Sequence, residues 1–172
     1  MLARKAIVSV IAILISYSMT WAAGPVVKTQ PPCNTGGVCM GFGPSPFVVR
    51  SLSFTAPSSG HTIVTVNGSG FCQNSNLQSV QVAEFDSEIV SPPGANVSFA
   101  GPGGNKFKFT LPANSDTAIT GNGVFNLSSE RVFSIAAAQT QRYALKIGPV
   151  RLDSSVFCLV EDAALTVLFI PN

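Results

Sequence analysis

The chain has 172 residues, with ten Lys and Arg against eight Asp and Glu. Two of the basic residues, Arg4 and Lys5, stand at the start; the other eight (Lys28, Arg50, Lys106, Lys108, Arg131, Arg142, Lys146, Arg151) are balanced by Glu84, Asp86, Glu88, Asp116, Glu130, Asp153, Glu161 and Asp162. A body with few charges and no net charge lacks the basic footprint that phosphate backbones require, which excludes nucleic acid as a primary partner, and it has little to repel another copy of itself.

Arg4-Lys5 is followed by an apolar run from Ala6 to Ile15 and then by Thr20-Trp21-Ala22-Ala23. This is the three-part pattern of a secretory signal peptide, and Thr20 and Ala22 predict cleavage after Ala22. Ser9, Ser16, Ser18 and Thr20 break up the stretch from Ala6 to Ala23, which falls short of the ~20 apolar residues of a spanning helix. The prediction is a signal peptide at 1–22 and a secreted or periplasmic body with no membrane span after cleavage. The body fits one domain of ~100–200 residues.

Residues 23–46 are rich in Pro, Gly and Thr and read as an extended arm. Cys33 and Cys39 flank Gly36-Gly37 and can close a local disulfide, leaving Cys72 to pair with Cys158. Four cysteines allow three pairings. No CxxC is present and His61 is the only histidine, so an oxidising compartment and structural disulfides are expected rather than a zinc site or haem.

From Phe47 to Asn172 the pattern is short β runs between turn signals, the mark of one β-sandwich domain. Arg50–Thr55 alternates and ends at Ala56-Pro57-Ser58-Ser59-Gly60. His61–Val66 puts Val64 and Val66 on one face and closes at Asn67-Gly68-Ser69-Gly70. Leu77–Ile89 runs to Pro92-Pro93-Gly94, Asn96–Ala100 is a short strand, and Lys106–Leu111 alternates without a break. Val124–Leu127, Arg131–Ile135, Arg142–Ile147, Ser155–Val160 and Ala164–Ile170 follow, with one helical turn allowed at Ala136–Gln139. The fold class is all-β, an antiparallel β-sandwich of the jelly-roll kind.

Ser53-Phe54-Thr55-Ala56-Pro57-Ser58-Ser59-Gly60 and the strand after it resemble the strand–turn–strand of the complement-collagen-head and tumour-necrosis-factor-like jelly-roll superfamily. The run Ala164–Ile170 resembles that family's closing strand, which sits near a trimer axis. The resemblance covers these two segments and lacks the family's aromatic pair after the first turn. It implies a homotrimeric, non-enzymatic binding or scaffolding module.

Glu84, Asp86 and Glu88 alternate, so on a strand the three carboxylates share one face about 7 Å apart, with Phe85, Ser87 and Ile89 on the other. Val80 and Val82 share the acids' parity, which predicts a switch of the inward face near Ala83 at a bulge. The acids could hold Ca²⁺, serve a glycan-binding module or supply an acid/base pair; the plainer expectation is a solvated face opposite Lys106 and Lys108. His61 has no acid nearby in sequence, and no Gly-x-Ser-x-Gly elbow exists, so no catalytic residues are assigned. The Gly101–Asn105 segment lacks the ending of a phosphate loop. Asn67, Asn96 and Asn126 begin glycosylation sequons. The partners expected are further copies of the chain and an extracellular protein or glycan, with no resident cofactor unless Ca²⁺ binds at the acids.

Overall fold

The structure, a computed structural model, describes residues 24–31, 39–97, 104–113 and 121–172. The predicted signal segment, Cys33, residues 98–100 of one predicted strand and residues 101–103 of the glycine-rich turn lie outside them. The described residues form nine strands: β1 (Val26–Gln30), β2 (Met40–Gly41), β3 (Phe47–Thr55), β4 (Gly60–Asn74), β5 (Gln81–Val90), β6 (Gly104–Leu111), β7 (Gly121–Ile135), β8 (Thr140–Leu152) and β9 (Val156–Pro171). They form two antiparallel sheets, one ordered β1-β9-β4-β7 with β2 also on β9, the other β3-β8-β5-β6.

Alternation decides which side chains meet between the sheets. Val64, Val66, Leu165, Val167 and Phe169 point in from the first sheet; Phe85, Ile89, Tyr143, Leu145 and Ile147 point in from the second. Each fully buried side chain of this kind stabilises the fold by about 1.5–3 kcal/mol. At one end the filling is aromatic. Phe85 contacts Phe42, Phe107 and Phe125 with ring centroids 4.7, 4.9 and 5.0 Å away, at edge or stacked angles that the ring quadrupoles favour. Cys72 lies opposite Cys158 in the β4–β9 register and is bonded to it across 86 residues of sequence. Closing so long a loop stabilises the fold by about 4–5 kcal/mol on the chain-entropy account. Cys39 is disulfide-bonded as well.

The strands are longer than the sequence pattern predicts. Asn67-Gly68-Ser69-Gly70 is the middle of β4 rather than its end. A Cβ on Gly68 would overlap the Asp162 carbonyl, and one on Gly70 would overlap the Leu159 carbonyl and the Phe125 ring. These glycines let a neighbouring strand and a core ring approach. The two predicted strands at 124–127 and 131–135 are one strand, β7. The pair at 155–160 and 164–170 is β9, which passes a bulge where Ser69 faces Asp162 and Gly70 faces Val160.

Other expectations change in smaller ways. Leu77 and Val80 precede β5 and are exposed, in a loop closed by the side-chain Oδ1 atoms of Asn74 and Asn76 accepting from the N–H groups of Asn76, Gln78 and Ser79. Such local bonds compete with a ladder. Asn96 and Val97 are not in a strand. Ala136–Gln139 is a tight turn, with Gln139 N–H donating to the Ala136 carbonyl and Ala138 at φ 59°. Part of the Pro/Gly-rich arm joins the first sheet, as β1 and β2 on β9.

Candidate functional site

Glu84, Asp86 and Glu88 do share the outer face of β5, with Phe85, Ser87 and Ile89 buried on the other. The inward face does not switch near Ala83. Ala83 is fully buried with the same parity as Phe85, and the irregularity belongs to the β5–β8 pairing, where Glu84 faces Arg151 and Phe85 faces Pro149.

Each acid meets a cation. Glu84 and Asp86 stand opposite Lys108 and Lys106 on β6, and Glu88 opposite Lys146 on β8. Lys108 Nζ is 3.8 Å from Glu84. Arg131, on β7 of the other sheet, donates one N–H nitrogen to Glu88 Oε1 and to the Ile89 carbonyl, both at 2.8 Å. Its guanidinium also lies 5.0 Å from the Phe133 ring centroid, in cation–π range. Arg131 thereby occupies the edge of β5 beyond the last β6 pairing, Glu88 with Gly104.

Asp86 and Glu88 are buried although they face outward. The chain after β5 folds back over this face: Lys146 Nζ donates to the Ala95 carbonyl, and Val97 lies against Gly148. Burial therefore raises the Asp86 pKa, Lys106 opposes the rise, and Glu84 and Glu88 add to it. Asp86 Oδ1 is buried with no hydrogen-bond partner. Among the described residues no group of three or more His, Cys, Asp and Glu is placed to hold a metal ion. His61 is exposed, with Nδ1 3.5 Å from Ser134 Oγ.

The outer face of the first sheet has the opposite character. Cross-strand register puts Val27, Leu168, Ile63 and Val132 in one row spanning all four main strands. The next row is Thr29, Thr166, Thr65 and Glu130, with Thr29 and Thr166 hydroxyls 3.3 Å apart. Ala164, Asn67 and Ser128 form a third. Toward the other end Leu159, Phe71 and Val124 form another apolar row. Val27, Val124 and Val132 are 62%, 71% and 55% exposed, and Phe157 and Ile170 are also open. The charges near this face are few: Glu130 on β7, and Glu161 and Asp162 at the β9 bulge. A shallow groove of about 350 Å³ runs along Thr65, Asn67, Ser128 and Glu130. Exposed apolar side chains on a face with so few charges fit an interaction surface.

Sequence reasoning found the acids, which lie in one segment, and missed this face, which takes residues from four. The available signal was the odd-numbered set Ile63, Thr65 and Asn67, opposite Val64 and Val66 in parity and almost uncharged.

No family model matches the chain, and no curated protein does. Among solved structures it is similar to the infectious bursal disease virus Gx strain, at 11% identity over 88% of this chain and 38% of that one, TM-score 0.34. It is also similar to the VP2 subviral particle of infectious bursal disease virus, at 12% identity over 84% of this chain and 32% of that one, TM-score 0.32. The chain spans about two fifths or less of the length of these structures.

Proposed function

We propose that the chain is a secreted or periplasmic, non-enzymatic binding or scaffolding module that associates with copies of itself through the outer face of the first sheet. The observation that carries this reading is the in-register apolar row Val27, Leu168, Ile63, Val132, with its outer members exposed and Ile63 and Leu168 half-buried, on a face with few charges. The Cys72–Cys158 disulfide supports an oxidising compartment. Among the described residues no helix is long and apolar enough to cross a membrane. The strand order β1-β9-β4-β7 over β3-β8-β5-β6 supports a jelly roll, and the resemblance of 53–66 and 164–170 implies three copies.

Light scattering on the oxidised protein tests the reading. The expected mass is a multiple of the chain, three for the trimer, and Ile63→Lys with Leu168→Lys lowers it while the fold is kept. A monomeric wild type overturns self-association. A second reading, a monomeric Ca²⁺- or glycan-binding module on Glu84, Asp86 and Glu88, has the unpartnered Asp86 Oδ1 in its favour. It requires a Ca²⁺-dependent rise in Tm that Glu84→Gln with Asp86→Asn removes.

A further inference from the structure

β7 forms the edge of the first sheet. It is paired with β4 on one side and, among the described residues, with no strand on the other. It is 15 residues long and contains neither Pro nor Lys, two of the devices that usually blunt such an edge. Main-chain groups alternate in direction as side chains do. The Phe133 carbonyl lies on the β4 side, 3.4 Å from Thr62 Oγ1, whereas the Ser128 carbonyl accepts from Asn105 Nδ2 on the far side. Val124, Asn126, Ser128, Glu130 and Val132 therefore aim their N–H and C=O groups at the free edge and their side chains at the outer face.

We infer that this edge pairs with β7 of a second copy, antiparallel, about a two-fold axis through Ser128. Ser128 is the midpoint of Gly121–Ile135, so the two strands overlap over their whole length. In this register Val124 of one copy stands opposite Val132 of the other, and Asn126 opposite Glu130. The most exposed apolar side chains of the strand cover each other, and no like charges meet. An axis through Glu130 would oppose two carboxylates instead. The same register makes the face continuous: the row Val27, Leu168, Ile63, Val132 of one copy runs on into Val124, Phe71, Leu159 of the other. The Asn105 contact need not break, because a carbonyl has a second lone pair for the incoming Ser128 N–H.

This pairing goes beyond the face-mediated association proposed above: edge pairing alone gives two copies, edge pairing of trimers gives six, and the test separates edge from face. Single-cysteine variants of the oxidised protein are treated with a short bifunctional thiol-reactive methanethiosulfonate and run on non-reducing gels. Ser128→Cys is expected to cross-link to a dimer. Asn126→Cys mixed with Glu130→Cys should cross-link, while each alone should not, because like positions are about 14 Å apart along the strand direction. Ser128→Pro, which removes an N–H that β4 does not use, should abolish the cross-linking of the mixed pair when introduced into both variants. Failure of Ser128→Cys to cross-link, or equally fast cross-linking of Glu130→Cys alone, overturns the two-fold. Cross-linking that persists in Ile63→Lys with Leu168→Lys supports the edge independently of the face. Loss of the cross-link with wild-type mass still a multiple of the chain overturns the edge and leaves the face reading standing.

Discussion

Thr62 Oγ1 and Tyr143 Oη lie 2.7 Å apart, joining the two sheets by a hydrogen bond inside the apolar core. Thr62 and Tyr143 are both fully buried, and the Tyr143 hydroxyl donates onward to Gln141 Oε1 at 2.8 Å. Burial pushes the Tyr143 pKa up, partly offset by the bond to Thr62, so the phenol stays neutral and able to donate. Removing one partner leaves the other poorly satisfied, which costs more than removing both. Tyr143→Phe should cost about 1–2 kcal/mol in denaturant unfolding. Thr62→Val with Tyr143→Phe should cost less than the sum of the single changes.

Arg131 carries another link between the sheets. Its partner Glu88 has a side chain only 4% exposed, and Arg131 itself is 25% exposed. Arg131→Met would leave a buried carboxylate and the Ile89 carbonyl without this donor. The expected loss is about 2–3 kcal/mol, below the full value for a completely buried pair. Arg131→Met with Glu88→Gln should recover much of it. Equilibrium unfolding of the three variants checks both statements.

Asp86 bears a cost at neutral pH. Its pKa is raised in the fold, chiefly by burial, so the folded state holds the proton more tightly than the unfolded chain. The protein is relatively favoured while Asp86 is protonated, and stability is lost as pH rises from the unfolded pKa through the raised folded one. Asp86→Asn should raise Tm at pH 7 by a few degrees, about what 1 kcal/mol gives in a domain of this size. The gain should shrink as pH falls below the folded pKa. Asp153 has the opposite sign: the hydrogen bond from Arg151, then that from the Val82 N–H, hold its pKa below the ordinary value. Its contribution is present above the unfolded pKa and is lost as pH falls through the folded one. Thermal melts across pH separate the two.

Gly70 has no room for a methyl group beside the Leu159 carbonyl and the Phe125 ring, whereas Gly43 and Gly94 face nothing within 4 Å. Gly70→Ala should cost about 3 kcal/mol or more, and Gly94→Ala almost nothing. Ala138, at φ 59°, is the reverse case. An L-residue there is strained by about 1–2 kcal/mol, so Ala138→Gly should raise stability slightly despite glycine's greater freedom in the unfolded chain. Differential scanning calorimetry reads all three.

Much of this architecture was legible because alternation is a local signal. Val64 and Val66, Phe107 and Phe109, and Tyr143, Leu145 and Ile147 each announced their inward face within a few residues. The cross-strand Cys72–Cys158 pair followed from the short spacing of Cys33 and Cys39. The strand lengths were less legible. Asn67-Gly68-Ser69-Gly70 has the composition of a turn, and only the approach of β9 and Phe125 explains why glycine stands in mid-strand. The candidate surface was hidden for a related reason. Val27, Leu168, Ile63 and Val132 are neighbours only after β1, β9, β4 and β7 have paired, and each alone is an ordinary strand residue. The acids on β5 showed the converse. Their shared face was readable, but the burial of Asp86 and Glu88 comes from the chain that folds back after β5 and from Arg131 on another sheet.

The position of β9 bears on how the chain acquires its structure. β9 comes last in order yet lies inside the first sheet, holding β1 and β2 on one side and β4 on the other. While a nascent chain lacks it, β1 has no strand to join, β4 has only β7, and Cys72 has no Cys158 to meet. Such long-range closure is slow. The β1–β9 seam is delayed until β9 is available, so the first sheet is completed around an already paired β4 and β7.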